Sequence, residues 1–465
     1  MITQADLGRL LAGHLRGAPL APDMAPISEI VIDSREAQPG ALFVALRGEH
    51  RDGHQFTADA VRRGATALLI SDRSAAVDGV ANFVVDDTLA ALQAAGRRWR
   101  REQPAQIVGI TGSVGKTTVR EATAQLLSQH TPTYQSPRNY NGDIGLPIAL
   151  LGIRPEHEWA VIEIGPYSQA EMEFLVSAAA ADVGIVTNVG PTHLERFGSL
   201  ADTERIKGLL PESLPVDGLA ILNADDPATM RMTTRTAARV VTIGLGDHAD
   251  LQALNVEAHG FDGIRFVARD NRSAEHSRIE TPLIGAHQAR TALAAIAVGL
   301  RAGLSLTQIS ESLRGLQPGS RLRRLTARNG AAIIDDAYNA APLSMQAALD
   351  LLAAEPQRRI AVLGDMLELG EEEQRAHRQI GKYAAHCCDR LIAIGDRSRN
   401  LANAAREAGL KQVDWYQHSV GASIQLAEIL DPADTVLIKA SHAIHLEAVV
   451  EYITGYSADG GGDPA

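Results

Sequence analysis

One segment limits the folds open to this chain more than any other. An apolar run at residues 107–110 leads through a glycine-bearing turn at 111–115 into a helical pattern at 117–129. A strand that passes through so short a turn into a helix is typical of α/β units with parallel strands. Because open α/β sheets bind their ligands at the carboxyl edge, a binding site is expected at the same turn.

The alternation of apolar runs and helical patterns continues along the chain and predicts an α/β fold in three blocks. We expect domains at residues 1–102, 103–316 and 317–456, because 465 residues exceed what one hydrophobic core supports. The tail at 457–465 is rich in glycine and aspartate, which predicts disorder. Strands are predicted at 30–32, 42–46, 67–70, 159–162, 183–186, 220–222, 332–334, 360–363, 391–394 and 436–438, and helices at 89–101, 287–300 and 305–316.

Charge and apolar runs exclude several classes of partner. The formal net charge is −12, whereas a protein that binds nucleic acid needs a basic face. No stretch approaches the roughly 20 apolar residues of a membrane span, and the N-terminus lacks a signal-peptide pattern. The adjacent Cys387 and Cys388 offer neither a disulfide framework nor a thiolate zinc site. We expect a cytoplasmic monomer that binds neither nucleic acid nor membranes.

The turn after the strand at 107–110 has the composition of a phosphate-binding loop. Glycines let consecutive backbone N–H groups point at phosphate oxygens, and the N-terminus of the following helix adds its positive end. The lysine would reach the β- and γ-phosphates of a nucleoside triphosphate, and the threonine after it would bind Mg²⁺. The residues expected to bind the nucleotide here are Gly112, Ser113, Val114, Gly115, Lys116, Thr117 and Thr118.

These motifs, with others downstream, resemble those of the Mur ligases, a family of ATP-dependent amide-bond ligases. Residues 111–118 match the family's TGxxGKTT loop, and the segment with Asn139 and Asn141 resembles the one after its first crossover helix. Glu163 ends a buried strand where the family has a magnesium-binding glutamate. The motif at 188–195 contains His193, and Lys207 lies where the family carries a carbamylated lysine.

The resemblance implies a three-domain architecture and two Mg²⁺ ions. The central domain would be a P-loop ATPase with a parallel sheet, and the C-terminal domain would be Rossmann-like. One ion would be held by Thr117 and Glu163, the other by His193 and the carbamate of Lys207. The ions would neutralise two anions that must meet when a carboxylate receives the γ-phosphoryl group.

The third block resembles the branch of the family that adds D-alanyl-D-alanine. Residues 335–342 and 363–370 match its motifs, and Arg321 resembles an arginine that reaches the γ-phosphate. The residues that the resemblance assigns to the nucleotide in or near this block are Asp336, Tyr338, Asn339 and, on the preceding helix, His287. Ser441 falls in a region that recognises the incoming dipeptide.

The first block resembles the family's UDP-binding domain, with Ser34, Arg35 and His54 as substrate residues. The resemblance therefore implies that a UDP-linked muropeptide takes a phosphoryl group from ATP. The resulting acyl phosphate would then react with the amine of a D-alanyl dipeptide, and Lys116 would stabilise the oxyanion.

Four short segments depart from the family's pattern and leave alternatives open, and one of them is 339–342, which reads Asn-Ala-Ala-Pro instead of Asn-Ala-Asn-Pro. Residues 166–168 lack an expected polar contact, 288–290 lack the expected asparagines near adenine, and 440–442 read Ala-Ser-His instead of Gly-Ser-Arg. One alternative is a Mur-type ligase that joins a different amino acid or acts on a different carboxylate. A second is a non-catalytic paralogue that binds the UDP-linked precursor, and a P-loop kinase is a third.

Overall fold

The computed structural model describes residues 1–17, 25–48, 50–137, 139–192, 194–317, 319 and 322–456. The chain divides into two compact units. The first contains Met1–Thr111, His130–Gly184 and Leu209–Leu219, and the second contains Gly112–Gln129, Ile185–Gly208 and Ala220–Ala465. The expected domain boundaries stay predictions, and the tail at 457–465 lies outside the described residues.

The described residues up to Glu102 form a small parallel sheet with the strand order β1-β2-β3-β4. Alternate side chains enter two different cores: Leu42 and Val44 face one, and Phe43 faces the other. Both faces are buried, as parallel strands require. The elements are α1 Gln4–Leu10, β1 Ile30–Val31, β2 Leu42–Val44, α2 Thr57–Arg63, β3 Ala67–Ile70, β4 Ala81–Val84 and α3 Thr88–Glu102.

The described residues from Gln106 to Arg314 continue with mixed strands and helices. The predicted strands at 159–162, 183–186 and 220–222 are confirmed, and the helix expected from 287 begins at Ala289 after a short 3-10 turn. The elements are β5 Gln106–Thr111, α4 Lys116–Ser128, β6 Thr133–Gln135, α5 Gly145–Leu151, β7 Trp159–Glu163, α6 Gln169–Ala179, β8 Val183–Val186, α7 Leu194–Phe197, α8 Leu200–Lys207, α9 Leu209–Glu212, β9 Leu219–Asn223, α10 Pro227–Arg231, β10 Arg239–Gly244, β11 Leu251–Ala258, β12 Ile264–Asp270, β13 His276–Thr281, α11 Ala289–Arg301 and α12 Leu306–Arg314.

In the first unit, α3 packs closely on α5. A Cβ on Gly96 would lie 2.8 Å from the Cα of Pro147, so only glycine allows this approach. The indole Nε1 of Trp99 donates to the carbonyl of Ile153 at 2.7 Å. The same unit pairs β5, β7 and β6 in parallel, in that order. The carboxyl ends of β5 and β7 therefore meet at one edge.

In the second unit, an antiparallel extension follows the parallel pair β10 and β11. Strand β12 pairs antiparallel with both β11 and β13. This extension is absent from the predicted strands. The pattern of β12, in which Ile264, Phe266 and Ala268 are buried and Arg265 is exposed, is the signal that could have revealed it.

The C-terminal sheet of the second unit has the order β14-β15-β19-β16-β17-β18. The pair β14 and β15 is antiparallel, and the remaining pairs are parallel. Strand β19 lies between β15 and β16, so the last strand of the chain is at the point where the order reverses. The elements are β14 Arg323–Thr326, β15 Ala332–Asp336, α13 Pro342–Ala353, β16 Arg359–Gly364, α14 Glu373–Cys387, β17 Arg390–Ile394, α15 Ser398–Glu407, β18 Gln412–Tyr416, α16 Ser419–Ile429, β19 Thr435–Lys439 and α17 Glu447–Thr454.

Within the described ranges, no helix has both the length and the apolar character that crossing a bilayer requires.

Candidate active site

The predicted phosphate loop has the backbone that an anion site requires. Gly112 and Gly115 have φ values of +145° and +89°, where residues with a side chain are strained. Gly112 also leaves no room for a Cβ, because the Thr187 hydroxyl occupies that space. Gly115 is the N-cap of the 13-residue helix α4 and supplies no side chain to cap it. The first turn of α4 therefore presents its amides and its positive end at the loop.

Side-chain and main-chain groups after β8 stabilise the conformation of this loop through hydrogen bonds. The Ser113 amide donates to the Asn188 carbonyl at 3.0 Å, and the Ser113 hydroxyl exchanges hydrogen bonds with the main chain of Gly190. The Asn188 side chain accepts from the Val114 amide at 3.0 Å and donates to the Val114 carbonyl at 2.9 Å. In this arrangement the amides of Ser113 and Val114 point to the 188–190 segment. Their expected contact with phosphate stays a prediction.

Two lysines converge on one carbonyl of the loop. Lys116 Nζ donates to the Gly112 carbonyl at 2.9 Å, and Lys207 Nζ donates to the same oxygen at 3.2 Å. Lys207 is 2% exposed and lies 5.7 Å from the centre of the Phe197 ring. Burial lowers the pKa of the Lys207 amine well below its usual range, and the charge of Lys116 lowers it further. The neutral amine of Lys207 is thereby favoured.

The structure describes some of the predicted magnesium ligands but not others. Thr117 is buried in the first turn of α4, and Thr118 follows it, half-buried, on the same turn. His193 and Arg321 lie outside the described residues. In the part of the chain that the structure describes, no group of three or more His, Cys, Asp or Glu side chains is arranged to hold a metal ion. The expected ligands are a hydroxyl, a carboxylate, an imidazole and a modified lysine, so such a group is not required.

In the first unit, Glu163 ends β7 as a buried carboxylate. It is 2% exposed, and its Oε1 accepts from the Asn141 side chain at 2.8 Å. Asn141 also accepts with its carbonyl from the Gly165 amide at 2.9 Å, and its own amide donates to the Asn139 carbonyl at 2.8 Å. The expected substrate segment and the expected metal ligand are thus joined directly. The roles of Asn139, Asn141 and Glu163 stay predictions.

The residues expected to hold the UDP group contact other protein groups. The Ser34 hydroxyl donates to the Asp59 carboxylate at 2.9 Å. The His54 ring is buried, with Nδ1 2.6 Å from Asp52 and Nε2 accepting from the Ser71 amide at 2.8 Å. Arg35 is exposed and pairs with the Asp33 carboxylate, which lowers the pKa of Asp33 to about 2. These contacts shape the loops after β1 and β2, and their binding of UDP stays a prediction.

At the carboxyl edge of the C-terminal sheet, a buried lysine joins β15 to β19. Lys439 is 2% exposed, and its Nζ lies 2.6 Å from the Asp336 carboxylate and 2.7 Å from the Asn339 carbonyl. The sequence interpretation missed Lys439, although a lysine that directly ends an apolar strand was a usable signal. Next to it, the His442 ring stacks on Tyr338 with 5.5 Å between centroids, and the ring Nδ1 lies 3.1 Å from Glu447.

Several residues of the motif at 363–370 make hydrogen bonds that stabilise the fold. The Asp365 carboxylate accepts from the Ser398 amide at 2.7 Å and from the Arg397 amide at 3.3 Å, at the start of α15. His377 Nε2 accepts from the Met366 amide, and its Nδ1 faces the Glu373 carbonyl, which indicates a proton on Nδ1. The Ser441 hydroxyl accepts from the Leu367 amide at 2.9 Å in the same region. Ser441 is buried, and its hydroxyl joins the segment after β19 to the 363–370 motif.

The segment expected near adenine contains an ion pair in place of asparagines. Arg290 Nε lies 2.7 Å from the Asp225 carboxylate, which also accepts from the amides of Leu245 and Gly246. His287 reaches solvent, yet the protein atoms around it lower its pKa to about 4, and the charge of Arg290 contributes. His287 is therefore neutral at physiological pH, and its contact with the nucleotide stays a prediction.

Comparisons with known proteins identify the family. Family profiles match three parts of the chain: a Mur ligase family catalytic domain at residues 26–108, a Mur ligase middle domain at 110–299, and a Mur ligase glutamate ligase domain at 320–442. The UDP-N-acetylmuramoyl-tripeptide--D-alanyl-D-alanine ligase of Escherichia coli strain K12 is 35% identical over 454 residues, which are 97% of each chain. The enzyme of that name from Synechocystis sp. is 36% identical over 92% of each chain.

Solved structures agree with these relatives. A crystal structure of MurF from Acinetobacter baumannii superposes with a TM-score of 0.83 and 29% identity, over 96% of this chain and 97% of that one. MurF from Thermotoga maritima in complex with ADP has a TM-score of 0.77 and 25% identity, over 92% and 97% of the two chains. The expected three-domain Mur ligase architecture is confirmed, and the chain belongs to the Mur ligase family.

Proposed function

We propose that this protein is an ATP-dependent ligase that joins D-alanyl-D-alanine to a UDP-N-acetylmuramoyl-tripeptide in peptidoglycan precursor synthesis, in the cytoplasm. The observation that carries the proposal is the convergence of Lys116 and Lys207 on the Gly112 carbonyl, inside a glycine loop at a helix N-terminus. A cationic Lys116 beside a buried, uncharged Lys207 amine that can be modified suits the transfer of a highly charged phosphoryl group. The full-length similarity to ligases of that name supports the choice of substrates.

Magnesium fits the donor atoms that the chain offers. Mg²⁺ prefers hard oxygen ligands, and both the Thr117 hydroxyl and the Glu163 carboxylate are buried oxygen donors near strand ends. An ammonium group has no lone pair and a neutral amine offers only nitrogen, so Lys207 would supply the oxygen that Mg²⁺ prefers only after modification. When bound, Mg²⁺ would neutralise the charge that develops between phosphates and carboxylate.

The modification proposed for Lys207 is a carbamate. Its neutral amine would attack the carbon of CO₂ with its lone pair, forming an N–C bond while one C=O electron pair moves onto oxygen. One N–H proton then leaves to solvent, so that an amine and CO₂ become an N-carboxylate and H⁺. Burial beside Lys116 supports this step, because it favours the uncharged amine and would then pair the new anion with a cation.

The remaining residues bind and orient the reactants. The first turn of α4 and Lys116 would bind the β- and γ-phosphates. A carboxylate oxygen of the muropeptide would attack the γ-phosphorus, and ADP would leave, which yields an acyl phosphate. The dipeptide amine would then attack the acyl carbon, lose a proton and expel inorganic phosphate. Lys116 would stabilise the negative charge on the acyl oxygen during that step.

A second candidate is a Mur-type ligase that accepts a different amine. The observation that favours it is the exposed His442, which follows β19 where the resemblance leads one to expect an arginine and stacks on the half-buried Tyr338. An imidazole held by Glu447 recognises a carboxylate less strongly than the planar fork of an arginine does. The second candidate shares every step of the proposed reaction up to the attack by the amine.

The test is release of inorganic phosphate from ATP with UDP-N-acetylmuramoyl-tripeptide, with and without D-alanyl-D-alanine, together with the mass of the product. Release that depends on both substrates, with the pentapeptide mass, is the expected result. Release that needs the tripeptide but not this dipeptide would shift the assignment to another amine. A Lys116→Ala variant controls for contaminating ATPases, and it should release no phosphate. Absence of turnover with every muropeptide would refute the ligase and favour a binding paralogue.

A further inference from the structure

The last turn of α8 needs support from outside the helix. Helix α8 spans only Leu200–Lys207, and helices of about this length are marginal in water without tertiary contacts. Its N-terminus is capped, because the Ser199 hydroxyl accepts from the Asp202 amide at 3.1 Å. Lys207 is the final residue, so fraying of the C-terminal turn would move its side chain directly. The position of the Lys207 amine against the Gly112 carbonyl therefore depends on what holds this end.

Two arginines from the segment after β9 contact the C-terminal turn of α8 and stabilise it. Arg231 pairs with Glu204 through its Nε at 2.9 Å. Arg235 donates from Nη2 to the main-chain carbonyl of Arg205 at 3.1 Å. That carbonyl is one of the last four of the helix, which lack a partner within it. A cation at this end also opposes the negative pole of the helix.

The Arg235 guanidinium also occupies the space beside Gly208 where a side chain would begin. A Cβ on Gly208 would lie 2.5 Å from the Arg235 Cζ and 2.8 Å from Nη2. The φ of Gly208 is −62°, a value that any residue adopts, so its backbone does not require glycine. A larger residue there would displace the guanidinium, which is the far end of a flexible side chain. Arg235 thus contacts α8 on both sides of Lys207, at residues 205 and 208.

From this geometry we propose that Arg235 is the positioning residue for Lys207, and that the glycine at 208 leaves its guanidinium in place. The inference rests on the carbamate assigned to Lys207 under the proposed function. Arg235 keeps the last turn of α8 wound, which holds the Lys207 amine buried against the Gly112 carbonyl. Without this contact the turn frays, and the amine leaves the position in which it would be carboxylated.

The test uses Arg235→Gln, Gly208→Ala and the double variant in the full-length protein. Each is titrated with ¹³C-labelled bicarbonate, and carbamate occupancy is read from its ¹³C resonance. Loss of partners of this kind costs about 10–100-fold in affinity or activity. We expect a rise of about that size in the bicarbonate concentration at half-occupancy for both single variants. The double variant should be no worse than either, because both substitutions remove one contact.

A second readout and a control separate positioning from general damage. Phosphate release by Arg235→Gln should be low at ambient CO₂ and recover at high bicarbonate. Arg272→Gln is the control, because Arg272 also donates to a main-chain carbonyl, that of Val240, and its other partner, Asp250, likewise lies outside α8. It should leave carbamate occupancy unchanged. Urea denaturation of each variant checks that it is folded.

Several results would overturn the inference. A normal ¹³C titration in Arg235→Gln, additive losses in the double variant, or an equal loss in Arg272→Gln would each do so. Low activity that bicarbonate does not restore would show a merely structural role. If the wild-type protein forms no carbamate, the Lys207 assignment fails together with this inference. The ligase assignment is judged separately, by the mass of the product.

Discussion

Removal of the Asn188 side chain tests whether the phosphate loop owes its shape to the segment after β8. In Asn188→Ala, the Val114 amide loses its acceptor and the Val114 carbonyl loses one of its donors. A hydrogen bond contributes about 1 kcal/mol net, so the two bonds together contribute about 2 kcal/mol. The Val114 carbonyl keeps its bond from the Thr187 hydroxyl at 2.7 Å, which reduces the expected loss to about 1–2 kcal/mol.

The assay combines urea denaturation with the binding of ATP. We expect the free energy of unfolding to fall by about 1–2 kcal/mol. We expect the Kd for ATP to rise by at most about thirtyfold, since about 1.4 kcal/mol corresponds to a factor of ten and the loss is at most about 2 kcal/mol. The control is Asn329→Ala, because Asn329 also accepts from one backbone amide, that of Ala331, and donates to one carbonyl, that of Leu430. It should leave ATP binding intact. An unchanged stability and Kd in Asn188→Ala would refute the reasoning.

Substitutions at three further positions test other parts of the fold. Burial lowers the pKa of His377 in the folded protein. The contribution of its neutral ring to the free energy of unfolding is therefore present above about pH 6.5 and is lost as the pH falls. His377→Gln should therefore narrow the difference between urea midpoints at pH 8 and pH 5, and an unchanged difference would exclude His377 as its source. Asp365→Ala should lower the free energy of unfolding by about 1–2 kcal/mol, and Asp365→Asn by less, because the carboxylate accepts from the Ser398 amide as an N-cap does. Equal losses of unfolding free energy in the two variants would argue against capping. Gly96→Ala should destabilise by about 1–3 kcal/mol through overlap with Pro147, and an unchanged thermal midpoint would contradict that packing.

The strand ends were predictable because they follow from local patterns. Residues 107–110 and 159–162 are short apolar runs, and β5 and β7 include them. The phosphate loop was predictable for the same reason, since its glycines, lysine and threonines are contiguous. Each such expectation needed only the order of residues within about ten positions.

Contacts between distant segments were not predictable in this way. The ion pair of Lys439 with Asp336 spans 103 positions and exists because β19 lies beside β15. Nothing local to either strand specifies that neighbour, because strand order depends on how all the crossovers pack. The clamp of Asn188 on Val114 was missed for the same reason, although both motifs had been recognised. Sequence motifs identified which residues matter, but not which of them contact each other.

The fastening of the phosphate loop also affects the thermodynamics of nucleotide binding. Ser113 and Val114 are held by hydrogen bonds to the protein groups of Asn188 and Gly190. The conformational entropy of ordering these residues is therefore lost when the chain folds and not when ATP arrives. Binding should consequently show little of the entropic penalty that accompanies a loop that must be ordered by its ligand. Weakening these hydrogen bonds would transfer the entropic penalty to the binding of ATP, even if every contact with ATP in the complex stayed the same.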